Sequence, residues 1–291
     1  DALPIYGIEA QQLRWLSLFV EVGDTLRAQP DWRQQWQTAR HTLEYRAQLS
    51  LPRSPLLGGN PHHPVDEKHR FLGLPWSNTL RYRVQSHQSW RAGLTLDHDI
   101  GEPLAAYRNV PFDHASFFVE KHNLKKQRQL ILGDYHAQFA QGLLIGPRFG
   151  TFVQPYFLDL PRHLTRITPN TSTDEAHYLR GAAWQQQTGH WQWTAFASYR
   201  ALDASFEDGE VKSVYENGYH RNRLELSHRS TLGLYQLGAH AAWKQPQTEW
   251  GVGIGGNHFS QPFPENKTAR GVPSPMVGNN ALAMSVDFAN Y

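Results

Sequence analysis

Residues 178–201, YLRGAAWQQQTGHWQWTAFASYRA, restrict the fold more than any other stretch. Trp191, Trp193, Ala195, Ala197 and Tyr199 fall on one side of a period-two pattern. Gln192, Thr194, Ser198 and Arg200 fall on the other, with Phe196 the one apolar residue among them. A period of two is that of an extended strand with unlike faces. Upstream, Tyr178, Ala182 and Trp184 lead into a turn at Gln187-Thr188-Gly189-His190, which predicts a hairpin. Its apolar face carries indoles at the turn end and a phenol at the far end. That is the pattern of a strand crossing a bilayer between aromatic girdles.

The same rhythm recurs along the chain. Leu43, Tyr45, Ala47, Leu49 and Leu51 alternate with Glu44, Arg46, Gln48 and Ser50. Leu80, Tyr82 and Val84 alternate with Arg81, Arg83 and Gln85, and Trp90, Ala92, Leu94 and Leu96 with Arg91, Gly93, Thr95 and Asp97. Further strands are expected at 115–121 and 129–143, the latter interrupted by Gly133 and Gly142, residues that mark bends or bulges. Residues 220–228 set Leu224 and Leu226 against Arg221, Arg223, Glu225 and Ser227, and read as another strand. The last three start at Tyr235, Trp250 and Leu282. The count is about eleven segments of ~9–13 residues, a length that spans a bilayer when tilted. Short and long connections alternate, as the turns and loops of a membrane barrel do. The short turn before Trp250 and the long stretch after Phe259 break that order.

A mean hydropathy of −0.60 and the lack of any run of ~18 apolar residues exclude a transmembrane helix. They are compatible with a barrel, whose alternation averages to a soluble-looking value. Ten Trp and twelve Tyr suit interfacial belts. Without Cys there is no disulfide framework and no thiolate chemistry. The net charge of +2 draws the chain to neither nucleic acid nor acidic partners. No signal peptide opens the chain, so an exported form would begin inside the mature polypeptide.

A soluble β-sandwich also alternates, and the polar faces separate the two. Here they carry Glu44, Arg46, Arg81, Arg83, Arg91, Asp97, Arg221, Arg223 and Glu225, a mixture that belongs in a wet or plugged lumen. Trp90, Trp184, Trp191, Trp193, Tyr199, Tyr235, Trp243 and Trp250 are the expected membrane-interface aromatics. The expected fold is therefore all-β, a transmembrane antiparallel β-barrel over residues 41–291. The terminal strand sets Phe288, Val286 and Met284 out of phase with Tyr291, and the strand count is odd. Both point to a barrel incomplete at its C-terminus, because single-chain bacterial barrels have even strand numbers.

The first residues read differently. Leu3-Pro4…Gly7-Ile8 is a turn followed by a short helix through Ala10, Leu13, Trp15, Leu16 and Phe19. Residues 1–23 have the form of the hairpin and second helix of a helix-hairpin-helix unit, and polar residues 24–40 form a connector. With Glu9 at the hairpin and only Arg14 along the helix, this copy favours a structural use over DNA contact. No metal site is expected: His62, His63 and His69 lack a completing carboxylate spacing, and Asp97, Asp99 and Glu102 fit a turn better than a calcium loop.

Four stretches, LTLDHDIGEP (94–103), LGDYHAQFAQGL (132–143), TSTDEAHYLRGAA (171–183) and GYHRNRLEL (218–226), together resemble the barrel region of helix-hairpin-helix outer-membrane proteins of Bacteroidota. LGDYHAQFAQGL is the most specific, with Ala140 standing where that family has glycine. The resemblance implies an outer-membrane location and this architecture, but no chemistry, since the family has no settled activity. The residues add no G-x-S-x-G, P-loop or dinucleotide fingerprint. His114/Ser116 and Ser227/His228 are too close in sequence to define a catalytic set. No enzyme and no cofactor are expected. The first expectation for function is a scaffold or accessory subunit of a larger envelope assembly, its partners being outer-membrane lipid and other envelope proteins. The alternative is a channel or uptake pore, linked to DNA only through helix-hairpin-helix units upstream; a surface enzyme ranks last.

Overall fold

The computed structural model describes residues 31–51, 55–57, 66–86, 89–103, 112–123, 126–139, 142, 144–145, 166–265 and 277–290. The helix-hairpin-helix reading of 1–23, most of the connector and the pair His62 and His63 lie outside them. What is described of the connector holds a short helix, α1 (Trp32–Gln37). It belongs to a separate unit, residues 1–38, and the second unit runs from Ala39 to Tyr291.

The second unit is one antiparallel twelve-stranded sheet. In chain order the strands are β1 (Arg40–Leu49), β2 (Trp76–Gln85), β3 (Trp90–His98), β4 (His114–Asn123), β5 (Arg128–Gln138), β6 (Arg166–Pro169), β7 (Leu179–Thr188), β8 (Trp191–Glu207), β9 (Glu210–Tyr215), β10 (Leu232–Lys244), β11 (Thr248–Phe263) and β12 (Gly278–Asn290). The sheet order is β1-β2-β3-β4-β5-β7-β8-β10-β11-β12, with β6 on β5 and β9 on β8. β1 and β12 do not pair with each other, so the sheet is open.

One strand expected from the sequence is a helix. Residues 223–228 form α2 (Arg223–His228), capped by Asn222, whose side chain accepts the Glu225 N–H. With it removed from the strand list, the connections fall into order. Short turns join β2–β3, β4–β5, β7–β8 and β10–β11, and long connections join the other strands of the path. The irregularity near Trp250 came from the misassigned segment. β8 also runs past the expected end of its hairpin to Glu207 and turns through Asp208-Gly209 into β9.

The two faces of the sheet are inverted relative to a water-soluble protein. Cross-strand partners share a face, so the register assembles rows. Trp191, Trp243, Trp250 and Phe288 form one row, Ala239, Ile254 and Met284 another, and Tyr199, Tyr235 and His258 a third. These rows lie on the exposed face, where Val252 is 55%, Met284 72% and Val286 78% exposed. The opposite face buries Thr95, Ser116, Glu120, Gln192, Thr194, His240 and Asp287. Exposed contiguous apolar surface with buried polar groups is what lipid outside and protein inside require, and what water penalises.

The inner face is also packed. Ile131, Tyr135, Ala137, Phe139, Ile167, Leu179, Ala183 and Phe196 form an apolar cluster on it, joined by Leu144 and Ile145. Small residues on β10 and β11 make the room. A Cβ at Gly238 would overlap the Phe196 ring, one at Gly253 would lie 2.8 Å from Leu144 Cδ2, and one at Gly255 3.3 Å from Ile145 Cδ1. The segment after β5 turns inward to reach them, held by a bridge between Phe139 and Ile145. Gly251 and Gly253 likewise clear the way for His240 Nε2 to reach Asp287 Oδ1 across β11, at 2.9 Å.

Candidate functional site

The register brings six of the sequence-predicted lumen residues to the inner face. Glu44, Arg81 and Thr95 share a row, Arg46, Thr79 and Asp97 the next, and Arg83 and Arg91 follow toward the short turns. Asp97 accepts a 2.6 Å hydrogen bond from Thr79, Arg83 approaches Glu44 at 3.9 Å, and Arg46 donates to Gln48. Arg91 is paired with the fully buried Glu120, which also accepts from Gln129 at 2.7 Å. Arg221, Arg223 and Glu225 are not part of this face. They sit at and before α2, where Arg221 pairs with Glu225 and lies over the rings of Phe71 and Tyr219. The physical reason is the cap: Asn222 Oδ1 accepts the Glu225 N–H, and the Glu225 carboxylate accepts the Arg221 N–H just before the helix.

Of the aromatics, Trp191, Trp193, Trp250, Tyr199 and Tyr235 are exposed on the outer face. Trp90, Trp184 and Trp243 are half-buried there, Trp90 beside Lys121 and Trp184 beside Leu130. Trp191 stacks on Trp193 with centroids 5.5 Å apart, and Trp250 meets Phe288 tilted, with centroids 4.4 Å apart.

Side chains far apart in sequence meet at the long-connection end of the sheet, around His220. His220 Nδ1 lies 2.6 Å from Asp113 Oδ2 and its Nε2 2.8 Å from Asp203 Oδ2. Its backbone N–H donates to Glu102 Oε1 at 3.0 Å, and Arg229 closes on Asp113. Backbone bonds from Leu72 to Arg221 and from Gly73 to Gly101 add the β1–β2 connection. The β1–β2, β3–β4 and β9–β10 connections and the far end of β8 are thus tied at one place. A loop-end core of Ala204, Val211, Leu232, Leu234, Phe259 and Phe263 packs nearby.

Charge and burial set the protonation here. Burial alone would discharge His220, but its bonds to Asp113 and Asp203 outweigh that and raise it to about 9. Burial also raises Asp113, yet the hydrogen bonds of His220 and Arg229 bring it below the usual carboxylate range. Burial and the neighbouring Asp113 raise Glu102 to about 7; burial, Glu102 and Asp113 raise Glu175 to about 9. At neutral pH the cluster therefore holds an imidazolium between two carboxylates, with Glu175 neutral.

Glu102, Asp113 and His220 bring ligand atoms within 4.8 Å of one another. A metal would need a bare ring nitrogen, and both nitrogens of His220 face carboxylates as donors. The set fits a proton-bridged clamp better than a cation site. The cavity beside it, about 1500 Å³, is lined in part by His114, Glu175, Tyr178, Arg200 and His220. Arg200 spends its guanidinium on the carbonyls of Glu175, Ala176 and Tyr178. Neither serine–histidine pair forms a nucleophile and base. Ser116 accepts from Asn170 and Ser227 donates to the Leu224 carbonyl, while His114 faces Glu175 at 3.9 Å.

The sequence reading missed this cluster because its members come from the β3–β4 connection, the end of β8 and the segment before α2, which no periodicity links. Only the Asn222–Glu225 spacing signalled the helix beside it. The fold defines an all-β antiparallel wall of barrel type with reversed polarity. No family model, curated protein or solved structure matches the chain.

Proposed function

We propose that this chain forms the wall and internal filling of an outer-membrane β-barrel that serves as a scaffold or accessory subunit of an envelope assembly. The observation that carries this reading over a pore is the occupied inner face, where Phe139, Leu144 and Ile145 pack against glycine-lined β10 and β11. A conducting lumen needs a continuous wet path, and an apolar segment seated on small residues supports a filled interior instead. The tied loop end supports the same reading, because a docking platform benefits from connections held in fixed positions.

The test is planar-bilayer recording on the reconstituted protein. The expected result is insertion without conductance steps. Stable steps from the wild-type protein would overturn the scaffold reading in favour of a channel.

A further inference from the structure

The wall is charged unevenly. On the side of the short turns, the carboxylates Glu120, Glu249 and Asp287 are buried on the inner face beside Arg91, Lys244 and His240. The outer face at that end carries Lys121, Lys126 and Arg128, all exposed. Among the described residues, no carboxylate lies within ion-pair distance of these three.

Their setting is specific. Lys121 shares an outward row with Trp90 on β3 and Leu130 on β5, and Leu130 in turn pairs with Trp184 on β7. Arg128 follows one position beyond Leu130 on the same face, its guanidinium anchored by Gln186 Oε1 at 2.8 and 3.1 Å. Lys126 sits in the β4–β5 turn, its backbone N–H held by Asn123. Three cations thus border an apolar face exactly where its tryptophans stand.

We infer that Lys121, Lys126 and Arg128, flanked by Trp90 and Trp184, form a binding surface for the phosphate of an anionic phospholipid head group. The inference rests on the membrane reading above and adds the identity of the lipid contacted at one corner of the wall. Charge complementarity selects the head group. The apolar residues Val119 and Leu132, one row farther from the turn, give the acyl chains a surface. Lysine and arginine at this level keep their heads at the interface while their stems cover apolar surface. Among the described residues, the exposed groups at the opposite end include the carboxylates Glu207, Asp208, Glu210 and Glu216.

The experiment uses the full chain in phosphatidylcholine vesicles that carry a minor fraction of brominated lipid, either phosphatidylglycerol or phosphatidylcholine. Contact at this corner is read as the part of the tryptophan quenching that is lost in Trp90→Phe/Trp184→Phe. The expected result is stronger quenching by the brominated phosphatidylglycerol, with the preference lost in Lys121→Gln/Lys126→Gln/Arg128→Gln and kept in Lys212→Gln. Each removed cation is expected to weaken the preference on the order of fivefold. Should the triple variant fold poorly, Lys126→Gln alone, at an exposed turn position, is expected to show a partial loss.

Equal quenching by the two lipids in an inserted, heat-modifiable wild-type protein would overturn the head-group surface and leave the membrane reading intact. Failure to insert into vesicles of any composition would overturn the membrane reading itself. If inorganic phosphate abolishes the preference where sodium chloride of equal ionic strength does not, the site takes free phosphate and the lipid assignment fails.

Discussion

Replacing Ile254 by Arg tests the inverted polarity directly. Ile254 stands on β11 between Ala239 and Met284, midway along the outward face between Trp250 and His258. At ~3.3 Å per residue, Trp250 and His258 are about 26 Å apart along the strand. A strand tilt of ~40° reduces that to about 20 Å across the bilayer, so Ile254 lies ~10 Å from either aromatic level. An arginine at that depth costs about 2–4 kcal/mol, falling to ~0–1 near the interfaces. In a water-exposed sheet, a surface substitution at the same place costs within about 0.5 kcal/mol. The measurement is reversible urea unfolding from phosphatidylcholine vesicles, followed by tryptophan fluorescence, with Ala and Arg compared at 250, 252, 254, 256 and 258. The expected profile peaks at 254. A profile flat to within about 0.5 kcal/mol would show that water meets this face, and the membrane reading would fall.

Two further outcomes follow from the polar groups. His220 is protonated in the fold up to about 9 against 6.5 when free, so its contribution is complete below pH ~6.5, falls as pH rises through the window, and is gone above about 9. At about 1.4 kcal/mol per pH unit this is on the order of 3 kcal/mol; hydrogen exchange at Leu72 and Gly73 should differ between wild type and His220→Gln at pH 6.5 and converge near pH 9.5, and a pH-independent difference would contradict the clamp. Asp134, fully buried, receives Arg180 through two bonds of 2.6 and 2.8 Å and also the Phe117 N–H at 3.2 Å. Asp134→Ala is expected to cost about 3 kcal/mol in unfolding experiments, and a double-mutant cycle with Arg180→Ala showing no coupling would sink the pairing.

The strands were legible because each one is two-faced, and the faces follow from the environment on either side. Leu237, Ala239 and Ala241 announce an outward face by themselves, whatever β10 pairs with. The segment 223–228 was misread because six residues with Leu224 and Leu226 fit a period of two as well as one and a half turns of helix. The capping spacing from Asn222 to Glu225 was the better signal, since it states what the backbone N–H groups do. Gly238, Gly251 and Gly253 have a purpose that depends on Phe196, Leu144 and His240 arriving from elsewhere. The His220 cluster was illegible for the same reason. Asp113, Glu102, Asp203 and His220 become neighbours only after the β3–β4 connection, the end of β8 and the β9–β10 connection have been placed. Asp134 meets Arg180 within the wall, where Gly133 takes a positive φ, the β4–β5 pairing stops, and the Asp134 carboxylate accepts the Phe117 N–H in place of a ladder carbonyl.

β8 has a mechanical consequence. It is a single strand of 17 residues, about 56 Å in extended length, running from Trp191 at the girdle to Glu207 beside the Asp208-Gly209 tip. Over its first part it is flanked by β7 and β10 on its two sides, and near the tip it pairs with β9. A pull applied at the tip along the strand would load its bonds to β7 and β10 in shear together, rather than opening them one at a time. A partner gripping this hairpin would therefore hold a stiff lever, and its tension would be felt at the level of the tryptophans before the tip itself gave way.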